Sequence, residues 1–139
     1  MGTDMESTKE QEVGIESDRD VIQVRQTARA IAKELGFSLT DQTRITTAVS
    51  ELARNVVQYA GEGVIRIRIL NNQGRVGLEV RAEDQGPGIP DVKHALQGGH
   101  STSGGMGLGL LGAKRLMDEF EISSTPNVGT TVVIRKWRR

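Results

Sequence analysis

Three groups of residues in this chain have the types and spacing to do chemistry. Glu51 and Asn55 stand four apart in an apolar-periodic segment, Glu51-Leu-Ala-Arg-Asn55. Asp84 closes a strand-like run and is followed by Gly86-Pro87-Gly88. A second glycine cluster, Gly104-Gly105-Met106-Gly107-Leu108-Gly109, opens an apolar helical segment. Glycine at this density costs chain entropy, so it is kept where backbone must turn sharply or approach something closely. A glycine-rich turn feeding a helix N-terminus presents free N–H groups and a positive dipole end, which suits a phosphate.

The elements that position these residues follow from hydrophobic period. Val21, Val24, Ala28, Ile31, Ala32 and Leu35 give a helix from Ser17 or Asp18 to Gly36. A second helix runs from Thr40 or Asp41 to about Tyr59, with a stripe of Ile45, Ala48, Val49, Leu52, Ala53 and Val56. At about 100° per residue, Glu51 and Asn55 lie about 40° apart beside that stripe. By themselves they read as a solvated helix face, and it is the glycine-rich stretch downstream that points them to chemistry.

Ile65, Ile67 and Ile69 alternate with arginines, giving a strand with one buried face, and Asn71–Gly74 is turn chemistry. The next strand sets Val76, Leu78, Val80, Ala82 and Asp84 on one face. Asp84 thus points toward the core layer, where a carboxylate is costly unless hydrogen-bonded. The alternative is that the strand has ended and Asp84 only shapes the turn before Gly86. A short helix over Asp91–Leu96, a polar loop over Gln97–Ser103, a largely buried helix over Leu108–Met117 and strands at Phe120–Ile122 and Thr130–Trp137 complete the order. Val13–Ile15 is a short strand candidate, and residues 1–11 read as a disordered tail before a single domain over 12–139. The expected fold is an α/β two-layer sandwich, a mixed sheet with helices on one face.

Composition narrows the function classes. The 139 residues carry 18 basic and 18 acidic side chains and no cysteine. Balanced charge argues against nucleic acid as a partner, and absent cysteine removes thiolate metal sites. No apolar run reaches the roughly 20 residues that span a bilayer, so no membrane contact is expected and the location reads as cytoplasmic. Gly107-x-Gly109-x-x-Gly112 matches a dinucleotide fingerprint, but a polar loop stands where that motif needs a strand. P-loop and protein-kinase catalytic-loop motifs are absent, and His94 and His100 have no metal-ligand spacing.

Taken in order, Glu51–Asn55, Asp84–Gly88, Gly104–Gly109 and Gly129-Thr130 resemble the motifs of the Bergerat-type (GHKL) ATPase fold of gyrase, sensor histidine kinases and mismatch-repair ATPases. Within it, Asp41–Asn55, Ala82–Asp91, Ser101–Gly107 and Lys114–Phe120 closely resemble the stressosome switch kinases (RsbT type), small serine/threonine kinases related to anti-sigma regulatory factors.

The resemblance implies ATP and Mg²⁺ as cofactors and a STAS-domain scaffold protein as the phosphorylation substrate. It further implies a PP2C-type serine phosphatase as the activation target. Alternatives are an anti-sigma factor that sequesters a sigma subunit and a nucleotide-gated module without catalysis. Carried over residue by residue, Glu51 is the general base and Asn55 a Mg²⁺ ligand. Asp84 reads the adenine amine, Gly86 and Gly88 form the adjoining turn, with Gly88 admitting the base, and Thr130 supports Asp84 directly or through water. Ser103, Gly104, Gly105, Met106, Gly107, Leu108 and Gly109 surround the phosphates. The chain departs from related anti-sigma kinases at Ser103, where those kinases carry a lid arginine.

Overall fold

The protein is described by a computed structural model that covers residues 6–89 and 106–139. In chain order the elements are β1 (Glu6–Ile15), α1 (Asp18–Glu34), α2 (Leu39–Asn55), a π-helical turn (Val56–Ala60), β2 (Gly63–Asn72), β3 (Arg75–Asp84), α3 (Met106–Leu116), β4 (Glu119–Thr125) and β5 (Gly129–Trp137). The expected short helix over 91–96, the loop over 97–103 and residues 1–5 lie outside the described residues.

The five strands form one sheet in the order β1-β2-β3-β5-β4, and every neighbouring pair is antiparallel. The sheet is therefore not mixed, contrary to the sequence expectation. Tight turns join β2 to β3 and β4 to β5, which forces antiparallel pairing in each hairpin. The long crossover from β3 through α3 does deliver β4 parallel to β3. Yet β5 inserts between them and hydrogen-bonds to both, so the parallel strands never meet.

A second correction concerns the N-terminal segment. Residues 6–11 are strand, not tail: Glu6 pairs with Asn71 and Gln11 with Ile67, with an irregularity between Ser7 and Glu10. An edge strand can be held by backbone pairing alone, so it needs no apolar alternation for sequence reading to detect.

The helices cover one face. Val24 and Ala28 of α1, Ile45, Val49 and Leu52 of α2 and Leu110 and Ala113 of α3 bury against Ile65, Ile67, Leu78, Val80 and Ile134. Ser38 caps α2 by accepting from the Asp41 N–H at 3.1 Å, so the helix begins at Leu39, one residue before Thr40. At the far end of the core, buried Lys136 donates to the Leu116 carbonyl at 3.0 Å, closing the C-terminus of α3. Its ammonium also lies 3.5 Å from Asp118 and 3.8 Å from Asp41 at the start of α2.

The opposite face carries charge instead of helices. Register aligns Glu10, Arg68, Glu79, Arg135 and Glu119 in one row of alternating sign across all five strands. Glu79, only 2% exposed, receives Arg68 at 2.7 Å and Arg135 at 2.9 Å. Trp137 lies over Gly77, where even a methyl group would clash with the indole, and its Nε1 donates to Glu119 at 2.8 Å.

Candidate functional site

At the end of the sheet away from Lys136, α2 and the sheet diverge around a pocket. One wall comes from Leu52, Asn55, Val56, Tyr59 and Ala60, and the other from Ala82, Asp84, Pro87, Gly88, Ile89, Thr130 and Val132. Aliphatic groups dominate, and Asn55, Asp84 and Thr130 supply polar side chains. This composition suits a flat heteroaromatic ring with an edge to be read. Tyr59 and Ala60 reach the wall because the chain leaves α-helical geometry at Val56 and winds as a π turn. Such bulges cluster at functional sites.

Asp84 ends β3 on the inner face, where its strand period places it. Its Oδ1 accepts the Gly86 N–H at 2.9 Å. The carboxylate therefore shapes the turn and lines the pocket at once, and among the described residues no protein donor binds Oδ2. Gly86 adjoins Ala60, where a Cβ would come within 2.7 Å of the alanine methyl. Gly88 has φ +80°, and a Cβ there would lie 2.6 Å from the Thr125 carbonyl oxygen. The space freed at Gly88 is thus taken by the β4–β5 turn, although Gly88 also faces the pocket.

Thr130 sits opposite Asp84 in the β3–β5 register. Its hydroxyl pairs with Ser124 at 2.9 Å, so of the two supports for Asp84 that the resemblance implies, direct or through water, the direct bond is not formed. Ser124 also accepts the Ile89 N–H at 2.6 Å, tying the loop after Gly88 to the hairpin. Sequence reasoning missed Ser124. Counting back across the β4–β5 turn from Thr130 would have found it, since the two are cross-strand partners.

On α2, Glu51 and Asn55 share the polar flank as expected, and α3 lies against it. A Cβ at Gly109 would fall 3.0 Å from Glu51 Oε1 and 3.8 Å from Asn55 Oδ1. A methyl there would press on the Glu51 carboxylate while making only ordinary contact with Asn55. Glu51 Oε2 accepts from Arg54 at 2.8 Å. The helix begins at Met106, two residues before its expected start, so Met106, Gly107, Leu108 and Gly109 form its first turn. First-turn N–H groups have no intrahelical acceptor and are available to an anion. Ser103, Gly104 and Gly105 lie outside the described residues.

Among the described residues no three His, Cys, Asp or Glu side chains converge as a metal cluster. No described helix is long and apolar enough to cross a membrane.

The model of the histidine kinase-like ATPase domain matches residues 16–136. Serine/threonine-protein kinase RsbT of Bacillus subtilis is 53% identical over 127 residues, covering 91% of this chain and 96% of that protein. An anti-sigma F factor of Halalkalibacterium halodurans is 34% identical, covering 81% of this chain and 80% of its own length. Among solved structures, the RsbU and RsbW domains of a Mycobacterium tuberculosis protein superpose with a TM-score of 0.64 at 21% identity. That match covers 95% of this chain and 33% of the other, and at this identity it speaks for the fold alone. The chain belongs to the histidine kinase-like ATPase family and, within it, to the RsbT-type serine/threonine-protein kinases, which bind ATP.

Proposed function

We propose that this kinase transfers the γ-phosphoryl group of Mg·ATP to a serine or threonine of a STAS-domain scaffold protein. Released from that scaffold, it then binds and activates a PP2C-type serine phosphatase in general stress signalling. The observation that carries the reading is that Asp84 and Asn55 line one pocket, with Glu51 one helical turn before Asn55 on α2 and facing Gly109 in the first turn of α3.

In this reading the Asp84 carboxylate accepts from the exocyclic amine of adenine, while Ser124 and Thr130 fix the backbone around it. The first turn of α3, with Gly104 and Gly105 before it and Ser103 at the lid, holds the phosphates. Glu51 takes the proton of the acceptor hydroxyl, an effect typically worth ~10²–10⁴-fold. The donor set fits Mg²⁺: an amide oxygen from Asn55 suits a hard ion that keeps waters and binds substrate phosphates. When bound, the ion neutralises phosphate charge.

The test incubates the purified chain with Mg·ATP and a STAS-domain protein and maps phosphosites by mass spectrometry. Phosphoserine or phosphothreonine on the acceptor, lost in Glu51→Ala, is expected. Transfer that survives Glu51→Ala removes Glu51 as the base, and no transfer to any STAS protein removes the substrate class. The likeness to anti-sigma F factors supports a second reading, sequestration of a sigma subunit. Co-purification of sigma factor instead of a phosphatase would favour it.

A further inference from the structure

Arg54 touches the site without lining the pocket. Its guanidinium binds Glu51 Oε2 at 2.8 Å, with the two side chains 51% and 31% exposed. The other Glu51 oxygen, Oε1, abuts Gly109 in the first turn of α3. Arg54 is therefore tethered to a carboxylate that sits directly beside the proposed phosphate cradle. Among the described residues the pocket wall contains no basic side chain, whereas Asp84 and the adjoining Glu51 are acidic. A triphosphate adds further negative charge, and the transferring phosphoryl group needs compensation beyond helix N–H groups.

An ion pair this exposed is weak and exchanges readily. A phosphate offers the guanidinium a bidentate acceptor of higher charge than the carboxylate it leaves. Lysine at this position would bring one point charge without the planar fork.

We propose that Arg54 is the cation of the phosphoryl-transfer step, parked on Glu51 until nucleotide binds. On binding it moves to the terminal phosphate, and the released Glu51 carboxylate faces the acceptor. The acceptor hydroxyl oxygen then bonds to the γ-phosphorus. The bond from that phosphorus to the β–γ bridging oxygen breaks, its electron pair leaves on ADP, and the hydroxyl proton passes to Glu51. The same side chain thereby withholds the base without nucleotide and frees it with nucleotide. This deepens the kinase reading above and rests on it.

The experiment measures ATP and ADP affinities by calorimetry in Mg²⁺, together with turnover on a STAS acceptor, for wild type, Arg54→Ala and Arg54→Lys. Arg54→Ala is expected to lose ~10-fold or more of the preference for ATP over ADP, with ADP affinity unchanged. Its turnover should fall ~10³-fold, the lower end of what an arginine at the transferring phosphate supplies. Arg54→Lys should recover part of both. An unaltered ATP-over-ADP preference in Arg54→Ala overturns the proposal even if turnover falls, because a clamp that only orients Glu51 affects turnover alone. Equal losses for ATP and ADP, or no ATP preference in wild type, also overturn it. Should wild type transfer phosphate to no acceptor, the kinase reading fails, and the affinity comparison still decides Arg54.

Discussion

Asp84 serves two structural ends through its two oxygens. Oδ1 closes the turn onto Gly86, and among the described residues no donor binds Oδ2 of this pocket-lining carboxylate. Asparagine preserves the first contact, because its amide oxygen still accepts the Gly86 N–H. Asp84→Asn should therefore fold normally and lose the charge-assisted bond to the adenine amine, worth about 1.5–3 kcal/mol. Calorimetry is expected to show roughly 10–100-fold weaker ATP binding with an unchanged thermal midpoint. An undiminished affinity would remove Asp84 as the reader. Asp84 was legible in the sequence because period two carries it onto the apolar face of β3. Ser124 was not, because a hydroxyl near a polar turn follows no period. Its place depends on hairpin register and on a loop contact with Ile89, 35 residues away in the chain.

At the scale of elements, the site is a contact between two helices made possible by Gly109. Alanine there favours helix by about 1 kcal/mol in intrinsic propensity. Its methyl, 3.0 Å from Glu51 Oε1, would push the carboxylate aside by a few tenths of an ångström. Gly109→Ala should keep or raise the thermal midpoint while lowering turnover, and a turnover equal to wild type would show that Glu51 need not stand there. The other end of α3 is held by Lys136. Asp41 keeps Arg44 and Asp118 keeps Arg139 when the lysine is removed, so the main loss is the donor to the Leu116 carbonyl, at a cost of about 1–3 kcal/mol. Lys136→Met should lower urea stability by about that amount. Helix α1 was readable in full: Val21, Val24, Ala28, Ile31 and Ala32 are all buried as their spacing demands. The π turn was hidden because Val56 continues the α2 stripe, and only the geometry after it changes.

At the scale of the molecule, the two faces of the sheet obey different physics. The inner face excludes water through aliphatic packing, whereas the outer face is a charged lattice centred on Glu79. Burial alone would raise the pKa of Glu79, but hydrogen bonds from Arg68 and Arg135, with their charges, hold it below the ordinary value of 4.5. Glu119 is lowered as well, first by the Trp137 N–H and then by Arg135, against an opposing effect of burial. A carboxylate with a folded pKa below its unfolded one adds stability above the unfolded value. It loses that stability as pH falls through the folded value. The urea midpoint should therefore hold steady near neutrality and drop below about pH 4.5, with a shallower drop in Glu79→Gln. Equal slopes in the two proteins would contradict this account. The lattice was not legible because its rows depend on which strands become neighbours. The insertion of β5 between β3 and β4 cannot be deduced from any one segment.

Trp137 is the only tryptophan in the chain, seated on Gly77 with the Arg75 guanidinium 4.7 Å from its ring centre. It lies on the outer face, at the opposite end of β5 from Thr130. The protein thus carries one tryptophan fluorophore, excitable apart from Tyr59 in the pocket wall and placed where it watches the sheet and not the nucleotide. Its emission will shift to the red when the sheet comes apart and stay nearly constant as ATP is titrated, so unfolding can be followed optically with the site empty or full.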